Sequence, residues 1–181
     1  MPPAHPSFED VLSFWFSDPA RWWRKDPAFD AELRDRFLAL HGALERGEHE
    51  DWLETARGTL AYVVVLDQLS RNMFRGTARM FASDARARAA AGRAVDRGDD
   101  RALSEGERSF LYMPFMHSEN LGDQDRGAGL FASAAPAELR YAEQHRDIIR
   151  RFGRFPHRNA LLGRESTAEE QEFLKQPGSS F

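Results

Sequence analysis

Three places in the chain hold side chains of the types that acid/base chemistry and anion recognition use. His117-Ser118-Glu119 and His157-Arg158-Asn159 each put a histidine where a helix is expected to open, the second directly after Pro156. A helix N-terminus presents unpaired N–H groups and partial positive charge, which favours a carboxylate or phosphate and disfavours a protonated imidazole. Asp67 and Arg71 are spaced i,i+4, with Gln68 and Asn72 beside them, on a helix face that is otherwise aliphatic. Buried there, each neutral polar group would cost about 1–3 kcal/mol without a hydrogen bond, and a charge more.

If the fold gathers Asp67, Arg71, His117, Glu119, Gln124, His145, Arg154, His157, Arg158 and Asn159, the result is a polar pocket for a small anionic molecule. Arg71, Arg154 and Arg158 would be the anion donors. His117 or His157 would be the acid/base, oriented by Glu119 or Asp67, so His117, Glu119 and His157 form the expected catalytic group. The same residues could instead satisfy one another as a buried network of ion pairs and caps holding an irregular C-terminal segment. A third reading, from another class, is an interaction module whose stacked helices offer a groove to a peptide or protein, with Trp22, Trp23 and Trp52 exposed. No cofactor or metal is expected, because the chain has no cysteine and no helical pair of histidines at i,i+4.

The density of basic residues is local. From His145 to Arg164 there are six arginines, at 146, 150, 151, 154, 158 and 164, against a single acid, Asp147. The whole chain, at 181 residues, has a formal charge of only -4, so nothing global draws it to nucleic acid or an anionic membrane. With 41% hydrophobic and 30% charged residues it has the composition of one well-packed domain. The longest apolar run, Leu60 to Leu66, is too short to span a bilayer, and the N-terminus lacks a signal-peptide pattern. These features place the protein in the cytoplasm.

The elements that must position the site read as helices throughout. Ser7 caps a first helix carrying Phe8, Val11, Leu12, Trp15 and Phe16, and Asp26-Pro27 opens a second through Phe29, Leu33, Phe37, Leu40 and Leu44. Trp22 and Trp23 fall between them as packing residues. A third helix, from about Asp51 to Phe74, is apolar on two sides and therefore central. Ser83 is expected to cap a fourth, Asp84 to Arg97, with Asp84 as an ordinary first-turn acid. Ser104 and Glu107 form a capping box for a fifth. Pro114 is expected to break it, leaving Met113 to His117 as a kink or loop, after which Ser118 caps a sixth. There Gly122, Gly127 and Gly129 weaken the helix and allow close backbone approach.

Pro136 begins a seventh helix ending at Gly153, with His145 on its inner apolar stripe and Asp147 able to pair with Arg151. A short helical turn, His157 to Leu162, follows, and a last helix is capped by Ser166 with Glu169 or Thr167 with Glu170. Residues 176–181 are expected to fray. The sum is an all-α fold of about seven to eight helices in one domain, 1–181, with antiparallel connections and no strand.

Three blocks, LDQLSRNMFRGTARMF (66–81), FLYMPFMHSENLGDQ (110–124) and HRDIIRRFGRFPHRNALLGREST (145–167), together resemble the bacterial family known as domain of unknown function 924. The resemblance covers nearly the whole chain. It implies an all-helical, tetratricopeptide-like (TPR-like) array and supplies no activity. Leu69-Ser70 departs from the Phe-Pro that the family usually carries after the first Asp-Gln, and the chain lacks the tetratricopeptide consensus spacing.

Overall fold

Most helices begin where a side chain can accept from the orphan N–H groups of the first turn. Reciprocal capping boxes, Ser7 with Asp10, Ser104 with Glu107 and Thr167 with Glu170, open three of them. Asp26 accepts from the Ala28 and Phe29 amides ahead of Pro27. The computed structural model describes residues 5–181. Among these it contains eight helices and no strand. They are α1 (Phe8–Phe16), α2 (Pro27–Glu45), α3 in three abutting pieces (Ala56–Val63, Val64–Leu69 and Ser70–Met73), α4 (Asp84–Arg97), α5 (Glu105–Met116), α6 (Leu121–Ala134), α7 (Leu139–Phe152) and α8 (Ala168–Leu174). No helix of the described residues is long and apolar enough to cross a membrane.

The third helix is central, as its two apolar sides require. Every residue from Gly58 to Ser70 is buried, and α1, α2, α4 and α5 all pack on it. It starts later than expected, at Ala56, because Thr55 accepts from the Gly58 amide and Glu50–Glu54 form a separate 3-10 turn. Its middle piece, Val64–Leu69, is a π turn, the wider helix that proteins often keep at functional sites. In that turn the Leu66 carbonyl accepts from the Ser83 hydroxyl at 2.6 Å, and the Asp67 carbonyl accepts from Arg71 at 2.7 Å. Ser83 is thus committed to α3 and makes no side-chain cap for α4. It also belongs to a buried chain, His41 to Ser70 at 2.6 Å and Ser70 to Ser83 at 2.9 Å, that ties α2, α3 and α4 together.

Two local expectations fail, both for tertiary reasons. Pro114 does not break α5, which continues to Met116. A mid-helix proline costs about 3 kcal/mol; burial of every residue from Ser109 to Met116 holds the turn against that cost. The cap of α6 is Asn120, whose side chain accepts from the Asp123 amide. Ser118 instead donates to the Asp123 carboxylate at 2.6 Å and accepts from the Asn120 amide.

Consecutive helices α4, α5, α6 and α7 pack each on the next. The approach of α6 to α5 depends on one glycine, since a Cβ at Gly127 would lie 2.9 Å from the Phe115 Cβ, whereas at Gly129 it would meet nothing within 4 Å. Gly127→Ala should therefore lose about 1–3 kcal/mol of stability through overpacking. Gly129→Ala should gain up to about 1 kcal/mol from helix propensity. Urea unfolding of the two variants checks the contrast, and equal effects would show that α5 and α6 are not in such close contact.

Beyond α7, Gly153 takes a left-handed conformation (φ 69°) and ends the helix. The 3-10 turn Pro156–Arg158 follows, and a second left-handed glycine, Gly163 (φ 65°), redirects the chain toward α8. On α7, Arg151 reaches Glu169 of α8 at 2.8 Å, while Asp147 lies 3.8 Å from Arg150. The last residues, expected to fray, turn back: Ser179 is buried, and the Phe181 ring lies 3.6 Å, centroid to centroid, from that of His145.

Candidate functional site

The two sequence stretches that open on histidine meet at one cavity. Gln68, Arg71 and Asn72 reach it from α3, and Arg75 from the turn that follows. Met113, Met116 and His117 come from the end of α5, and Tyr141 and His145 from α7 at i,i+4. His157, Arg158 and Leu161 come from the C-terminal turn. The cavity measures about 580 Å³, and Trp22, Trp23, Met80, Phe81 and Phe181 complete much of its wall. Pro114 matters here, because helix maintained through Met116 sets His117 at the helix end over Asp67.

Asp67 and His117 form the polar centre. Asp67 has no exposed surface. Its carboxylate accepts from His117 Nδ1 at 2.9 Å and from the Gln68 amide at 2.7 Å, and Arg71 lies 3.3 Å away. Burial pushes the Asp67 carboxyl up, but Arg71 and His117 outweigh it and hold it below the ordinary carboxylate range. Burial, reinforced by Arg71 and opposed by Asp67, keeps His117 below the usual imidazole value. The resulting pair is an anionic carboxylate and a neutral imidazole. A carboxylate can only accept, so the proton sits on Nδ1 and the lone pair on Nε2.

The neighbouring imidazoles are neutral as well. His145 donates from Nδ1 to the Tyr141 carbonyl at 2.7 Å, and its ring lies 6.2 Å from that of His117. Burial lowers it to about 3 and lowers His157 to about 4, the latter helped by the charge of Arg158.

Arg158 is 5% exposed, and its guanidinium lies between the Phe81 and Phe155 rings at 4.5 Å from each centroid. It donates to the His117 carbonyl at 2.9 Å and lies 3.6 Å from Asp84, while its buried Nε–H has no acceptor. Burial first, then the charge of Arg71, lowers it to about 10. Asp84 is no ordinary first-turn acid, since it takes a two-pronged hydrogen bond from Arg71 at 2.9 and 3.1 Å.

Five of the expected residues, Asp67, Arg71, His117, His145 and Arg158, therefore converge, with His157 beside them on the wall. The other four serve as supports. Glu119 does not orient a histidine, because it receives both prongs of Arg164 at 2.7 and 2.9 Å and the Phe155 amide at 2.8 Å. Arg154 is no anion donor at this cavity, its guanidinium being committed to Glu170 at 2.6 and 2.8 Å. Gln124 is buried and donates to the Met116 and Ser118 carbonyls at 2.6 and 2.8 Å, fixing the bend that carries His117. Asn159 donates to Ser166 at 3.0 Å and accepts from Arg164 at 3.0 Å.

Sequence reasoning missed Met113, Met116, Phe81 and Leu161, apolar residues of types that ordinarily pack in a core. Trp52 is buried at 5% exposed and Trp22 donates to the Trp15 carbonyl at 2.7 Å, so both are packing residues, but Trp23 is 63% exposed beside the cavity.

The family profile for a bacterial protein of unknown function, DUF924, matches residues 11–178. The chain belongs to this family. A solved structure titled as a protein of unknown function from Agrobacterium tumefaciens is similar to this DUF924 chain, with 47% identity over 93% of this chain and 96% of that one, and a TM-score of 0.89. No match was found among curated proteins. Away from the cavity of this DUF924 protein, His5, Glu48 and His49 place ligand-type atoms within 4.8 Å of one another, the one such group among the described residues. Its His5 Nδ1 and His49 Nε2 stand 3.0 Å apart, a hydrogen-bond distance.

Proposed function

We propose that the cavity binds a small anionic molecule, a carboxylate or phosphate, with His117 as the acid/base group beside it. The observation that carries this reading is the lining of an open cavity in which Arg71, Arg75 and Arg158 gather beside His117, His145 and His157. The charge of the lining points the same way. Five basic side chains, Arg24, Lys25, Arg71, Arg75 and Arg158, face one acid, Glu138, whose carboxyl is pushed up by burial. Asp30, Asp67 and Asp84 neutralise Arg75, Arg71 and Arg158, which leaves Arg24 and Lys25 in excess.

If the ligand reacts, the Asp67–His117 pair supplies a base at Nε2 held in one tautomer by the buried carboxylate. His145 and His157 add neutral imidazoles, and Arg158 stabilises negative charge. The reading extends to an antiparallel, TPR-like array in one domain, supported by the serial packing of α4 to α7. An interaction module on that array has less support, because two of its three tryptophans are packing residues.

A thermal-shift panel of organic acids and phosphates tests the proposal. A ligand at ten times its Kd should stabilise the wild type by about 1.4 kcal/mol, a rise of roughly 3–6 °C for a chain of this size. Arg158→Gln should lose the rise, and His117→Gln should keep the fold. Equal rises in wild type and Arg158→Gln, or none with any anion, would overturn it.

A further inference from the structure

Resting on that reading, we infer that the ligand is an amphipathic organic acid: one anionic head on an apolar body about the size of a medium-chain acyl or phenylalkyl group. The cavity, at about 580 Å³, lies in the ~300–1,000 Å³ range of sites that enclose whole drug-sized molecules. An inorganic phosphate or an acetate would occupy a small part of it.

The rest of the wall would then gain nothing from binding, and that wall is largely apolar. Trp23, Met80, Met113, Met116 and Leu161 share the cavity with the cationic and imidazole groups. Methionine is unbranched and polarizable, so three of them give a surface that adapts to an alkyl chain or a ring. Trp23, 63% exposed, lies nearly parallel to Phe110, at 9° and 6.0 Å between centroids, and offers its remaining surface to the cavity.

The chain's own Phe181 shows what such a space accepts. Its ring lies against His145 at 3.6 Å and edge-on to His157 at 4.7 Å, between centroids. An uncharged ring, itself 55% exposed, thus lies directly against the imidazoles. An anionic head could reach Arg158 and His117 while the body covers the methionine and tryptophan surface.

Calorimetric titration at pH 7.5 with acetate, butyrate, hexanoate, octanoate, 3-phenylpropionate and inorganic phosphate tests this, each as a monomer below its micellar concentration. Affinity should rise about fourfold for each methylene buried, so that hexanoate exceeds acetate by roughly two orders of magnitude. Octanamide, with the same body and no charge, should bind at least tenfold more weakly than octanoate. Leu161→Ser, half-buried on the wall and outside the polar centre, should weaken octanoate and leave acetate unchanged.

Acetate or phosphate binding as tightly as octanoate would overturn the inference and leave the anion site standing. Octanamide matching octanoate, or no binding by any member, would overturn both. Retention on phosphatidylglycerol vesicles without binding of monomeric octanoate would also overturn it, since the occupant would then be a bilayer lipid.

Discussion

Asp67→Ala should lower stability by about 3–5 kcal/mol, the usual consequence of removing one partner from a buried charge cluster. For a chain of this size that is a fall of roughly 6–20 °C in melting temperature. Asp67 is wholly buried and receives Gln68 and His117 while facing Arg71. Without it, the Gln68 amide loses an acceptor and the His117 Nδ1–H is orphaned, while Arg71 keeps Asp84. Asp67→Asn should cost less, since it retains an acceptor for His117. Urea unfolding of both variants checks this. A loss below about 1 kcal/mol for Asp67→Ala would mean that the carboxylate is not the centre on which these groups depend.

The second large effect is acid sensitivity in an unusual window. His145 and His157 titrate near 6.5 when unfolded, but at about 3 and about 4 in the native protein. Between those limits the unfolded chain binds protons that the native state refuses, so stability falls as pH falls. Above 6.5 both states are neutral and nothing changes. Each histidine should remove about 2 kcal/mol between pH 7.5 and 5. His41 and His117 push in the same direction, their values also being lowered mainly by burial.

The depressed carboxylates lose their contribution only further down. Glu170, held at about 2 by Arg154, and Glu119, lowered by Arg164 against its burial, begin to matter below their ordinary value of 4.5. Urea midpoints between pH 7.5 and 5 thus separate the histidines from these depressed carboxylates, while Glu138, raised by burial, acts in the opposite direction. His145→Gln should remove about 2 kcal/mol of the stability lost between pH 7.5 and 5. Equal stability at pH 7.5 and 5 would show that these imidazoles are not buried in the neutral form.

What could be read in the sequence was local. Ser7, Asp26, Ser104 and Thr167 announce helices because a cap needs only a side chain and amides two or three residues ahead. Gly153 closes α7 for an equally local reason, its left-handed backbone. Pro114 and Ser118 misled because their local preferences were overridden by burial around Met116 and by the nearby Asn120. The π turn at Val64–Leu69 left no trace, since its side chains are compatible with either helix.

At the site, residue types were legible and partners were not. Asp67 and Glu119 were equally plausible orienters of His117; the one chosen is 50 residues away in sequence, the other only two. Arg154 and Arg158 are four apart in one basic stretch, yet the turn at Phe155-Pro156 commits the first to Glu170 and the second to the cavity. Asp84 looked like a helix-dipole acid because its partners, Arg71 and Arg158, come from other segments.

The most direct test of the anion site is the ring nitrogen spectrum of ¹⁵N-histidine-labelled protein during titration with 3-phenylpropionate. The predicted result is saturable shifts at His117 and His145, assigned by single substitution, with His41, sealed beneath Ser70, unmoved. Shifts spread equally over all the histidines, or no shift at His117 at saturating ligand, would contradict it.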